Sequence, residues 1–266
     1  MAQFKSYDDI GVSTEGHVAT IEIQRPPHNF FDYSLIQQIA DAMETIDEDK
    51  NLRCVVLCAQ GKSFCAGANF GSDGSSANRS QENNPTDKSS HLYVEAVRLF
   101  ATKTPIVGAI QGAAIGGGLG LSLVPDFRVA CPESRFAANF TRLGFHPGFG
   151  LTHTLPALIG NQRATLMFYT SRRIKGEEAY EWGLADMLVP LEEVRTAATD
   201  LAKEISENSP LGVMETRATM RQGLADRVRR TTDHELVVQD KLRKTDDFKE
   251  GVKAVAERRI PNFKGA

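Results

Sequence analysis

The chain has 266 residues, 41% hydrophobic and 24% charged, enough for a large core in one domain or one domain with an appendage. Its net charge of -3 leaves no basic excess to displace counterions, which argues against a nucleic-acid partner. The opening residues Met-Ala-Gln-Phe-Lys-Ser-Tyr hold no apolar signal core and no later run is long enough to span a bilayer, so a cytosolic protein without a membrane partner is expected.

Gly16 to Gln24 alternates Val18, Thr20 and Glu22 against Ala19, Ile21 and Ile23, the pattern of a half-buried strand. Arg25-Pro26-Pro27-His28-Asn29 breaks it, because proline cannot donate to a ladder. A helix is predicted from about Ser34 to Glu48, with Leu35, Ile36, Ile39, Ala42, Met43 and Ile46 along one broad stripe. Leu52 to Leu57 reads as a strand, and the even spacing of Cys54 and Cys58 places both on one face as structural filler. None of the four cysteines has paired C-x-x-C ligand spacing, so neither a metal nor a disulfide is expected.

After Phe64-Cys-Ala-Gly-Ala-Asn69 the composition turns polar. Residues 71–90 are rich in Gly, Ser and Asn and carry Asp73, Glu82 and Asp87, as either a surface loop or an active-site lid. Leu92 to Thr102 is an amphipathic helix. It leads into Thr104 to Asp126, where the buried strand Ile106 to Ile110 is followed by a small-residue turn, three glycines (Gly116, Gly117, Gly118) and a short apolar helix from Leu119 to Val124. Glycine lets a ligand approach the backbone, and a helix start supplies unpaired N–H groups, so this stretch can stabilise an oxygen carrying negative charge.

Phe127 to Ala130 is a short strand, and helices are predicted over Thr152 to Ile159, Asn161 to Thr170 and Lys175 to Trp182, the last stopped by Gly183. Leu188-Val189 is a further short strand. Strand signals cease after Leu191. Helices are expected over Leu191 to Glu207, Leu211 to Ala225 and Thr232 to Thr245, with a break at Pro210 and a final helical region from Asp246. Strand, strand, helix units recur without an exact repeat, giving an α/β body with a helical tail.

Five stretches in this order resemble the crotonase superfamily, the enoyl-CoA hydratase/isomerase-like proteins: Ser63 to Ala68, Ala109 to Gly118, Asp126 to Ala130, Lys175 to Leu184, and Asp247 to Gly251 with Pro261 to Lys264. The resemblance covers nearly the whole chain. It implies an α/β spiral of ββα units over residues 1–195 holding an acyl-CoA site, then a helical oligomerisation region over 196–266. It also implies a homotrimer or dimer of trimers, and coenzyme A as part of the substrate with no tightly bound cofactor. The family's two oxyanion-hole N–H groups map onto Ala68 and Gly117, which agrees with the reading of the glycine turn. Arg25, His28, Lys62, Ala66 and Ala68 match positions along which family members lay CoA, and Phe263 and Lys264 match a tail position that reaches a neighbouring subunit's nucleotide. Asn69 stands where relatives often have aspartate, and Gly116 and Phe140 flank the acyl position.

The sequence also departs from the family. The two glutamates of a working hydratase map onto Gly120 and Phe140, and neither can transfer a proton. His146, in Gly144-Phe-His-Pro-Gly148, is the best replacement by residue type. Phe140, Phe145 and Phe149 suggest an apolar acyl pocket. Three functions follow: isomerase, lyase or hydratase chemistry with a different base; hydrolysis of a thioester or carbon–carbon bond through His146; and thioester binding without catalysis.

Overall fold

The computed structural model describes residues 2–69 and 91–266; Asp73, Glu82 and Asp87 lie outside them. Two sheets organise the chain. The larger has strand order β1-β2-β3-β4-β6-β9, with β1 Ile10–Glu15, β2 Val18–Ile23, β3 Cys54–Ala59, β4 Ile106–Ile110, β6 Phe127–Ala130 and β9 Met187–Leu188. Only β1 and β2 pair antiparallel, as a hairpin across Gly16; every other neighbour in this sheet is parallel. The smaller sheet runs β5-β7-β8, from Ala113–Ile115, Arg135–Ala137 and Ile174–Lys175.

The chain visits both sheets on each turn. It passes from β4 to β5 and from β6 to β7, and the segment after β3 reaches the smaller sheet through a parallel bridge from Cys65 to Ala114. This is the expected spiral of strand pairs. The crossing between β4 and β5 needs Gly112, because a Cβ there would fall 1.8 Å from the Lys62 carbonyl oxygen.

Side-chain alternation splits the sheet into two cores. Val55, Leu57 and Ala59 face a large cluster with helix α1 (Tyr33–Asp47) and helix α2 (Leu92–Phe100). Cys54, Val56 and Cys58 face the other side. The two cysteines thus share a face as predicted, and all four cysteines are buried free thiols. Burying each large aliphatic side chain in such layers contributes about 1.5–3 kcal/mol.

Short helices follow: α3 Gly117–Ser122, α4 Leu151–Ile159, α5 Asn161–Thr170 and α6 Gly176–Trp182. Gly183 ends α6 in the left-handed conformation that its sequence signal predicts. The helical tail comprises α7 Val194–Ser206, α8 Pro210–Met220, α9 Leu224–Leu242 and α10 Asp246–Ala256. Helix α7 belongs to the body, since Val194, Ala198 and Ala202 close the second core against β3, β4 and β6. Most boundaries differ from the sequence reading by a few residues, and two differences have a clear cause. Pro210 opens α8 as its first residue instead of marking a gap, because the missing N–H is not needed there. Residues 224–242 form one helix, since its polar stretch around Arg229 and Arg230 is held by tertiary packing that periodicity does not report. Strand β1 went unpredicted, as its Gly11, Ser13 and Thr14 break the apolar alternation. So did β5, β7 and β8, which at two or three residues are too short for a pattern; β5 stands where a small-residue turn was expected. Among the described residues no helix is long and apolar enough to cross a membrane.

Candidate active site

The site forms where the segment after β3 meets the turn after β5. Cys65 N–H donates to the Ala113 carbonyl at 2.9 Å and Ile115 N–H returns to the Cys65 carbonyl at 3.0 Å. Gly67, at φ +83°, then turns the chain so closely that a Cβ there would sit 2.6 Å from the Ile115 carbonyl oxygen and 3.7 Å from the Gly117 nitrogen. The N–H groups of Ala66 and Gly116 are used, by the carbonyls of His28 and Ala137. Those of Ala68 and Gly117 find no acceptor among the described residues, and both residues line one cavity of about 80 Å³. Two unpaired donors on one wall can receive an oxygen that gains negative charge.

The rest of the lining is largely apolar, formed by Phe31, Leu92, Phe140, Leu143, Phe145 and Phe149, with Phe31 directly against Gly117. Phe31 and Phe149 meet with ring centroids 5.8 Å apart, and Phe140 and Phe145 at 5.4 Å. The positions where a hydratase has glutamates are filled: Phe140 is a cavity wall, and Gly120 lies under Phe149, to whose Cβ a Cβ on residue 120 would come within 2.7 Å.

Polar side chains reach the cavity from elsewhere. His91, Tyr93, Asn139 and Arg243 line it, whereas no aspartate or glutamate among the described residues does. Tyr93 N–H donates to His91 Nδ1 at 3.1 Å, which leaves the ring proton on Nε2. Burial, helped by the charge of Arg243, pushes His91 down to about 4, so the imidazole is neutral at physiological pH. Burial pushes the Tyr93 phenol well up, and it donates to Gln239 Oε1 at 3.0 Å.

Helix α9 holds this loop in place. Glu235, fully buried, accepts from Gly150 N–H at 2.7 Å and from the Thr152 N–H and hydroxyl at 3.0 and 2.6 Å, capping α4. Burial raises its carboxyl to about 7 against these hydrogen bonds. Gln239 donates to the His146 carbonyl at 2.9 Å.

The structure does not bring His146 into the cavity. Its Nδ1 lies 2.8 Å from the Pro147 carbonyl and its ring meets His234 edge-on at 6.2 Å. Arg25 is likewise engaged: its guanidinium takes Asp9 in a two-pronged bond at 2.6 and 2.5 Å and pairs with Asp32 at 2.9 Å. His28 packs on Phe30, with ring centroids 5.1 Å apart. Lys62 is exposed and lines a different cleft, beside Gln111 and Arg195. Asn69 is half-buried at the edge of the described residues. Phe263 and Lys264 are exposed on a tail docked to α10 by the Lys264 N–H bond to Asp247 at 2.6 Å.

Sequence reasoning missed Phe31, His91, Tyr93, Asn139 and Arg243. The signal available was the spacing of Glu235, Gln239 and Arg243 at every fourth residue, which puts all three on one face of a helix.

The two-sheet spiral and the cavity at its strand crossings define a class of fold, and comparison assigns the family. Residues 13–266 match the enoyl-CoA hydratase/isomerase family, to which this chain belongs. It is 30% identical to crotonyl-CoA hydratase of Syntrophomonas wolfei, over 97% of this chain and 98% of the relative. It is 26% identical to 1,2-epoxyphenylacetyl-CoA isomerase of Escherichia coli, over 94% and 96%. Among solved structures, an enoyl-CoA hydratase/isomerase from Pseudoalteromonas atlantica superposes with a TM-score of 0.85 at 26% identity, covering 97% of this chain and all of that one.

Proposed function

We propose that this protein is an enzyme of acyl-CoA metabolism that polarises a thioester carbonyl between the N–H groups of Ala68 and Gly117. The observation that carries this is their convergence, both without an acceptor, on one cavity. Two such donors in a water-poor site stabilise a thioester enolate and are worth several kcal/mol of barrier, about 3 kcal/mol for each. Phe140, Phe145 and Phe149 receive the acyl chain.

The reaction is isomerase or lyase chemistry that does not use paired glutamates, since Gly120 and Phe140 carry no proton and no carboxylate among the described residues lines the cavity. His91, neutral with its proton on Nε2, is suited to holding a second substrate oxygen and unsuited to abstracting a proton, while the Tyr93 hydroxyl is committed to Gln239. That same shortage of bases favours a second reading, thioester binding without turnover. Hydrolysis through His146 finds no support in the geometry. The CoA phosphates would meet Lys62 and, from a neighbouring copy, Phe263 and Lys264, in a cytosolic trimer or dimer of trimers. An apolar groove of about 1000 Å³ lined by Leu123, Phe127, Leu158, Val213 and Met220 supports that assembly.

A panel of saturated and unsaturated CoA thioesters, with mass detection of isomerised, hydrated, cleaved and hydrolysed products, tests the proposal. Turnover supports the enzyme, micromolar binding without turnover supports the second reading, and failure to bind any thioester overturns both.

A further inference from the structure

Arg243 is poorly explained by stability alone. It follows α9 directly, and its guanidinium lies over the Phe145 ring, 5.7 Å from the centroid, at the cavity wall. Among the described residues its buried Nε makes no hydrogen bond, and the one bond of its side chain, Nη2 to Gln239 Oε1, is long at 3.5 Å. That acceptor is already committed to the Tyr93 hydroxyl at 3.0 Å. The half-buried Arg53 and Arg135 are held by backbone carbonyls at 3.1 Å or less. Other arginines are tied into the core by a carboxylate at 3.0 Å or less: Arg25 on Asp9 and Asp32, Arg128 on Asp186, Arg217 and Arg221 on Asp126. Among the described residues Arg243 has none. Asp240, one turn earlier, is exposed, and Glu235 is spent on Gly150 and Thr152.

A guanidinium presents five donors in a planar fork that matches a carboxylate, and withdrawing it from water without a partner is costly. Beside it stands the neutral imidazole of His91, whose remaining proton is on the nitrogen not used by the backbone. Both residues share the cavity with Ala68 and Gly117. A thioester whose carbonyl sits at the two N–H groups would therefore extend its acyl chain past the phenylalanines towards a cation.

We propose that the acyl group taken by this site bears a carboxylate at its far end, received by the Arg243 guanidinium with His91 beside it. The substrates are thus CoA monothioesters of dicarboxylic acids. This rests on the acyl-CoA reading given above.

The test is equilibrium binding by calorimetry to the full chain, which needs no turnover. Succinyl-, glutaryl- and adipyl-CoA are compared with butyryl-, valeryl- and hexanoyl-CoA of the same chain lengths. At least one carboxyl-ended thioester is expected to bind about tenfold or more tightly than its methyl-ended counterpart, the size of a charge-assisted bond. Arg243→Gln should bring that ratio close to one, and Arg243→Lys should restore part of it. Circular dichroism and the thermal midpoint report whether each variant folds, and Arg243→Met, which keeps the stem on Phe145, serves where Arg243→Gln does not. A methyl-ended preference, equal affinities, or a carboxyl preference that survives loss of the arginine overturns the proposal. Failure of both series to bind overturns the acyl-CoA reading as well, so the two failures are distinguishable.

Discussion

Phe149 rests on Gly120: a Cβ at residue 120 would lie 2.7 Å from both the Cβ and Cδ1 of Phe149. The missing glutamate is therefore more than a deletion, because its space has been taken by a ring. Phe149 itself holds a left-handed backbone, φ +63°, which is costly for a bulky residue and is tolerated in a packed wall.

Helix propensity alone predicts that Gly120→Ala stabilises the protein by up to about 1 kcal/mol. The contact with Phe149 predicts the reverse, a loss of about 1–3 kcal/mol. Chemical denaturation decides the sign. The same substitution in a Phe149→Gly background should cost less by about 1 kcal/mol or more, and an equal cost in both backgrounds would remove Phe149 as the cause. Gly120→Glu should not create hydratase activity.

Glu235 makes stability depend on pH. Burial lifts its carboxyl to about 7 in the folded chain, above its ordinary value of 4.5, so the folded state holds the proton more tightly than the unfolded state. Its contribution is full below about 4.5 and is lost as pH rises through about 7, an effect on the order of 3 kcal/mol. Glu235→Gln cannot ionise. Urea unfolding across this window should show the variant gaining on the wild type as the pH rises, and a constant gap would refute the linkage.

What the sequence could reveal follows from how each feature is encoded. The strands β3, β4 and β6 and the glycine turn at Gly116 to Gly118 rest on local signals, apolar runs, glycines and a turn next to a strand, while the pairing of Ala68 with Gly117 came from the family resemblance. The emptiness at Gly120 and Phe140 was also readable as residue types. Phe149 filling that space was not, because the two meet only when α3 and the loop before α4 are brought together. His146 was chosen for its pKa range, yet ring direction decides its role, and Nδ1 faces its own neighbour's carbonyl. His91, Tyr93 and Arg243 escaped because they reach the cavity from helices far apart in the chain, while Arg25 resembled a ligand-binding cation until Asp9 and Asp32 were seen to enclose it.

Arg25 accordingly carries a structural prediction. Arg25→Lys loses the two-pronged bond to Asp9 and should cost about 1.5–3 kcal/mol of stability. The Arg25 hydrogen bond holds the Asp9 carboxyl below its ordinary value of 3.8, so this contribution is present above that pH and is lost as the pH falls through the folded value. The gap between wild type and variant should therefore narrow in acid, while calorimetric affinity for a CoA thioester stays the same. A selective loss of affinity without loss of stability would return Arg25 to the binding site.

Gly117 tests the N–H pair without removing either N–H. A Cβ there would lie 2.1 Å from Phe31 Cζ, so Gly117→Ala must push the ring away, and the open direction is the cavity. Phe31 is held by its own N–H bond to the Gly67 carbonyl at 3.1 Å, which limits backbone retreat. Thioester turnover should fall about a hundredfold or more, the scale seen when such a donor is misplaced. Replacing the ring by Phe31→Ala in the same chain removes the obstruction and should recover part of that loss, whereas Phe31→Ala alone enlarges the cavity and leaves both donors in place. Should Gly117→Ala turn over thioesters at the wild-type rate with the wild-type KM, the carbonyl does not sit at Gly117.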